Sequence, residues 1–179
     1  LQNLAARVGH PIPWCIMTSP LNHEATVNFF TEHNFFGMDR DNIRFFEQGT
    51  ICALTPDGKA VLDGDRLALV PDGNGGCFRA LAQSGSLAWL VEKGIEYVFL
   101  YSVDNALCRI CDPAFIGALA DNGMMASASK VVHKANAQER VGIFAFQNNK
   151  PGVVEYSDLP EEYRDMTNPD GSLVFDGGN

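Results

Sequence analysis

The chain has 179 residues, 46% of them hydrophobic, which is enough to build a buried core and argues against disorder. A formal net charge of -9 excludes a broad basic footprint for nucleic acid or for an anionic membrane surface, so any phosphate it binds must meet a local site. No stretch approaches the roughly 18 apolar residues of a spanning helix, residues 1–20 lack a basic start followed by a long apolar run, and the five cysteines are an odd number; the expectation is a cytoplasmic protein with reduced thiols.

Taken in chain order, Ile12 to Thr18 is short, apolar and bounded by Pro11 and Ser19-Pro20, the pattern of a buried strand. A helix is expected from Asn22 to about His33, with Ala25, Phe29 and Phe30 at helical spacing and Glu24 near the start. Ile43 to Gln48 is the next strand. Ile51–Leu54 and Ala60–Leu62, joined by Pro56-Asp57-Gly58, predict an inserted β-hairpin. Helices follow at 77–82 and 87–92, split by Ser84-Gly85-Ser86. Ile95 to Val103 is the clearest strand, rich in aromatic and β-branched residues and ending at Asp104-Asn105. Beyond it lie a helix from Pro113 to Asp121 and strands at Met125–His133, Val141–Phe146, Val153–Tyr156 and Leu173–Phe175. Strands alternating with helices predict one α/β domain, a Rossmann-like, mixed but mostly parallel sheet with helices on both faces. Ligands of such sheets bind beyond the carboxyl ends of strands, where residues 72–76 and 103–105 fall.

Asp72-Gly73-Asn74-Gly75-Gly76 has three glycines that let backbone approach a ligand, directly ahead of a helix start that attracts anions; an ordinary capped turn has the same composition. The loop is neither a Walker loop nor a G-x-G-x-x-G fingerprint, which leaves a dinucleotide oxidoreductase without support. Asp104 at the end of an apolar strand is where a carboxylate ligand for Mg²⁺ would stand, or simply where a turn begins. Cys108 and Cys111 form a single C-x-x-C with no second pair and read as half-buried thiols rather than a metal or redox centre. His10, His23, His33 and His133 are scattered, and no serine elbow is present, so hydrolase chemistry has no support. Glu155, an acid in an apolar strand, either faces solvent or serves a site.

Ile12-Pro13-Trp14 with Met17-Thr18-Ser19, Phe46 with Gln48-Gly49-Thr50, Pro71 to Gly76, Val103-Asp104-Asn105 and Val153 to Ser157 occur in this order. So do Asp112-Pro113 before Phe115-Ile116-Gly117, and Lys130-Val131-Val132. Together these stretches resemble the eukaryotic-type UDP-N-acetylglucosamine pyrophosphorylases over roughly residues 11–179.

The resemblance implies a fold of the nucleotide-diphospho-sugar transferase type and an Mg²⁺-dependent reaction of UTP with a sugar 1-phosphate, giving UDP-sugar and pyrophosphate without a covalent intermediate. It assigns uracil contacts to Gln48 and Gly73, a place near the sugar to Asn74, the metal to Asp104, and the sugar pocket to Gly142, Glu155 and Asn179. It also implies that the family's N-terminal glycine-rich phosphate clamp and its C-terminal domain have no counterpart in these residues. The 179 residues alone would then turn over little. Glucose 1-phosphate or several sugars remain open as substrates, as does a module that binds UDP-sugar without catalysis.

Overall fold

In the computed structural model, which describes residues 1–123 and 127–178, the chain forms two compact units, Leu1–Asp112 and Pro113–Asn179. The first opens with helix α1 (Gln2–Val8), closed by Gly9 in the left-handed conformation with its N–H on the Ala5 carbonyl. Strand β1 (Trp14–Thr18) follows, then helix α2 (His23–Glu32) and strand β2 (Ile43–Glu47). β1 and β2 pair in parallel, from Trp14 beside Ile43 to Thr18 beside Glu47, so their carboxyl ends lie side by side.

Alternation along the two strands sends Trp14 and Phe45 to one face and Cys15 and Arg44 to the other. α2 covers the first face, the ring of Phe30 packing edge-on to Trp14 at 5.6 Å and to Phe45 at 5.1 Å. Between α2 and β2, Asn34, Phe35 and Phe36 all hold positive φ, a left-handed turn that is costly for side chains carrying a Cβ. Phe36 offsets that cost by packing against Phe30 at 5.2 Å and stacking on His33 at 5.4 Å.

The segment between β2 and the glycine loop is an excursion that returns to its starting point. β3 (Thr50–Cys52) pairs antiparallel with β6 (Leu69–Pro71), and between them β4 (Leu62–Asp63) and β5 (Arg66–Leu67) form a small hairpin. The expected hairpin tip at Pro56-Asp57-Gly58 is present, with a single bridge from Leu54 to Ala60. Ile51 and Cys52, however, pair with Val70 and Leu69 rather than with residues 60–62. Helices α3 (Gly76–Gln83) and α4 (Ser86–Glu92) follow; Ala80 and Leu90 are buried from them, and the Arg44 guanidinium lies 5.1 Å over the ring of Trp89. Buried Ile43 and Phe46 complete this core.

Among the described residues Ile95 to Val103 enters no ladder, and Ile95, Tyr97, Phe99 and Tyr101 are half-buried while their even-numbered neighbours are exposed, the alternation expected of a strand. The fold is α/β: among the described residues β1 and β2 pair in parallel with helices on both faces of the pair, and the other sheets are small and antiparallel. Side-chain alternation encodes which way residues face, whereas a ladder also needs a neighbour in register.

The second unit begins with helix α5 (Pro113–Ala120). Its sheet has the order β7 (Val132–His133), β10 (Gly177–Gly178), β8 (Ile143–Gln147), β9 (Lys150–Val154), all antiparallel. β8 and β9 form a hairpin across Asn148-Asn149, both at positive φ, the asparagine-tolerant geometry of a two-residue turn. A short helix, α6 (Glu161–Arg164), precedes the last stretch. Of the strand expected at Met125–His133, residues 125 and 126 lie outside the described residues, and only Val132–His133 pairs. Leu173–Phe175 is not a strand; Leu173 makes one bridge to Thr167, and the strand lies instead at Gly177–Gly178, where Gly178 slots between Val132 and Ile143 and a Cβ on it would overlap Val141. Ile143 and Leu159 are buried in this unit. Among the described residues no helix is long and apolar enough to cross a membrane.

Candidate functional site

The side-by-side carboxyl ends of β1 and β2 set one half of the site. Thr18, the last residue of β1, is 5% exposed, and its hydroxyl donates to the Phe46 carbonyl at 3.1 Å. The same oxygen lies 2.7 Å from His23 Nδ1. A hydroxyl has one proton, so with that proton on Phe46 the imidazole must donate Nδ1–H to Thr18. Glu47 stands 3.9 Å from the same ring nitrogen. The Thr18 carbonyl accepts the Gln48 N–H at 2.8 Å, which extends the parallel pairing one step past β2 and fixes the backbone of half-buried Gln48.

Pairing of Thr50 with Pro71 at the base of the excursion makes its flanking residues neighbours. The Asp72 N–H donates to the Gly49 carbonyl at 3.0 Å, which brings Gln48-Gly49 to Asp72-Gly73. Gly73 sits at φ +80, a conformation that suits glycine, and its carbonyl accepts the Gly76 N–H at 3.0 Å as α3 begins. Asn74 is exposed at that entry, and its carbonyl accepts the Cys77 N–H at 3.2 Å. The structure thus brings Gln48, Gly73 and Asn74 to one place.

Asp104 occupies a turn of its own. Its N–H lies 3.4 Å from the Ser102 hydroxyl oxygen and its carbonyl accepts the Ala106 N–H at 3.1 Å, while the side chain is exposed. No group of three or more His, Cys, Asp or Glu able to hold a metal occurs among the described residues. A single open carboxylate still suits Mg²⁺, which is commonly held by one or two carboxylates together with substrate phosphates and water. Cys108 and Cys111 are half-buried free thiols, and burial pushes the Cys111 thiol up.

In the second unit the β8–β9 hairpin brings Gly142, just before β8, against Glu155, just after β9. Gly142 is buried, and a Cβ there would stand 2.7 Å from Val153 Cγ1 and 3.6 Å from Glu155 Oε1. The Glu155 side chain is exposed, and its carbonyl accepts the N–H groups of Asp158 and Leu159. Gly178 pairs with Ile143 and is buried beside Val141; Asn179 lies outside the described residues. Nearby, the Asp176 carboxylate binds His133 Nδ1 and accepts the Lys134 N–H at 2.8 Å; first the His133 contact and then that N–H hold its carboxyl below the usual carboxylate range.

Sequence reasoning set Thr18 and Asp72 only within motifs, read His23 and His133 as scattered histidines, and did not foresee the Thr18–His23 or His133–Asp176 contacts. The short spacing of Thr18 and His23 across a strand-to-helix turn could have signalled the first pair. Nothing local could have signalled the second, whose members are 43 positions apart.

The chain matches the family described as UTP--glucose-1-phosphate uridylyltransferase over residues 1–179. It is 45% identical over 179 residues to UDP-N-acetylglucosamine diphosphorylase 1 of Arabidopsis thaliana, covering 94% of this chain and 35% of that one. To the UDP-N-acetylglucosamine pyrophosphorylase of Saccharomyces cerevisiae it is 41% identical over 181 residues, covering all of this chain and 38% of the yeast protein. The structure of the uridine diphosphate N-acetylglucosamine pyrophosphorylase of Trypanosoma brucei, solved with an inhibitor, superposes with a TM-score of 0.82 at 28% identity, over 99% of this chain and 37% of that one. The chain spans about a third of the length of the curated relatives it matches.

Proposed function

The chain belongs to the UTP--glucose-1-phosphate uridylyltransferase family, and from that premise we propose that it carries part of the active site of an enzyme making UDP-N-acetylglucosamine and pyrophosphate from UTP and N-acetylglucosamine 1-phosphate. The kinship with enzymes named for UDP-N-acetylglucosamine carries the reading. On this reading the fold is of the Rossmann-like nucleotide-diphospho-sugar transferase type.

Gln48 and the Gly73 backbone bind the uracil, Asn74 stands towards the sugar, and Gly142, Glu155 and Asn179 line the sugar pocket, Glu155 accepting hydroxyl hydrogen bonds. An oxygen of the sugar phosphate attacks the α-phosphorus of UTP in line; the new P–O bond forms as the bond to the β-phosphate breaks, and pyrophosphate leaves. The chemistry asks for alignment and charge neutralisation rather than a nucleophilic side chain. Asp104 would hold Mg²⁺ together with the phosphates, and the ion when bound neutralises charge on them. The free thiols of all five cysteines support a reducing compartment, which we take to be the cytoplasm.

A second reading, in which glucose 1-phosphate is the sugar, is favoured by the name of the matching family. Calorimetric titration of UDP-N-acetylglucosamine and UDP-glucose into the full-length chain and its Asp104→Asn variant, with and without Mg²⁺ and alongside pyrophosphate release, tests both. Preference for the N-acetylated sugar, with turnover lost in the variant, is the expected result. Preference for UDP-glucose selects the second reading, binding without turnover makes the protein a UDP-sugar-binding module, and no binding overturns the proposal.

A further inference from the structure

We infer that Asp72 is a positioning residue of the nucleotide site, its carboxylate locking the Gln48-Gly49 stretch to the Gly73-Asn74 loop; this rests on the uridylyltransferase reading above. The carboxylate fills the space between Gly49 and Gly76. A Cβ added to either glycine would overlap it, so both positions are restricted to hydrogen by the side chain they enclose. Its own N–H is bonded to the Gly49 carbonyl at 3.0 Å, and Gln48 is in turn bonded to Thr18 at 2.8 Å. Asp72 therefore joins the end of β2 to the first residue of α3 through both backbone and side chain.

The chemistry of the group is the second part of the argument. Asp72 Oδ1 is buried and has no hydrogen-bond partner among the described residues. A buried acceptor without a donor is costly, and an apolar side chain could have filled the same space at less cost. What a carboxylate adds at this position is negative charge against the first turn of α3, where the helix dipole is positive. Attraction to that end holds the side chain inward and the loop closed. Gly73 is the next residue and lies at φ +80, so displacement of Asp72 turns the Gly73 peptide that would face the uracil, and with it Asn74.

The test uses the full-length chain with Asp72→Ala, Asp72→Asn and Gly76→Ala, measuring KM for UTP and for sugar 1-phosphate, kcat, the preference for UTP over CTP, and thermal unfolding. Asp72→Ala is expected to raise the KM for UTP about ten-fold and to narrow the UTP preference by a similar factor, with a smaller rise in the KM for sugar phosphate through Asn74 and kcat little changed, the signature of lost uniform binding. Gly76→Ala, which leaves Asp72 in place but takes its space, should reproduce that pattern. Asp72→Asn keeps the shape but removes the charge and should recover only part of the affinity. Unaltered KM and nucleotide preference in folded Asp72→Ala and Gly76→Ala overturn the inference alone. Loss of the fold in both variants also overturns it, because Asp72 would then be a core residue and not a local positioning one. A wild-type chain that binds no uridine nucleotide overturns the proposed function, and the inference with it.

Discussion

Residues 43–47 and residues 95–103 have the same kind of sequence, dense in aromatic and β-branched side chains, yet they differ in how deeply their side chains are buried. β2 lies against β1 along its whole length, is covered by α2 on one face and approached by α4 on the other, and buries Ile43 and Phe46 at 1% and 4% exposure. The later segment keeps the alternation but leaves Val98 and Leu100 half-exposed, with Val103 at 91%. Strand-forming composition thus determines how a segment presents its side chains once it is extended, and packing neighbours determine whether it is stable. The consequence for the site is direct: Gln48 leaves a fixed strand end, whereas Asp104 leaves a turn held by its own neighbours.

The comparison breaks most easily on stability. Phe46→Ala should cost about 3–5 kcal/mol in urea unfolding, the usual range for an aromatic removed from a core, while Val98→Ala should stay within about 0.5 kcal/mol. Equal costs would mean that residues 95–103 are as firmly packed as β2. A smaller effect is expected at the end of β1. Thr18→Val keeps the shape but removes the bonds to Phe46 and His23, at about 1–3 kcal/mol, and Thr18→Ser should restore most of that loss. A Thr18→Val variant with unchanged stability would show that the strand end is held by pairing alone.

The smallest effect concerns Cys15, on the β1 face shared with Arg44. Burial pushes its thiol from an ordinary 9.0 up to about 11, opposed by the Arg44 guanidinium and assisted by the neighbouring Cys77. The folded state holds the proton more tightly than the unfolded state. The stability this contributes is therefore fully present below about pH 9 and is lost as pH rises towards about 11. Cys15→Ser should flatten that alkaline limb, and in the native protein Cys15 should alkylate more slowly at pH 9 than a free thiol. Fast alkylation would place β1 outside the buried, paired region.

Much of the molecule was legible along the chain because local rules wrote it. Apolar runs between prolines marked β1, helical spacing marked α2, Ser84-Gly85-Ser86 divided α3 from α4, and the motif series pointed to the family that the comparisons then showed. Gln48, Gly73 and Asn74 were named from short motifs, and Gly142 and Glu155 likewise. Pairing was not legible. That Ile51 would lie beside Val70 rather than residues 60–62, and that Gly178 would slip between two strands, both depend on partners distant in sequence. The same holds for the closure at the base of the excursion. The sequence by itself determined which residue types stand in each motif; only the tertiary structure decided that Thr50 meets Pro71, so that Gly49 and Asp72 touch and two motifs more than twenty positions apart become neighbours. Residue chemistry is local, whereas a ladder hydrogen bond belongs to two segments at once.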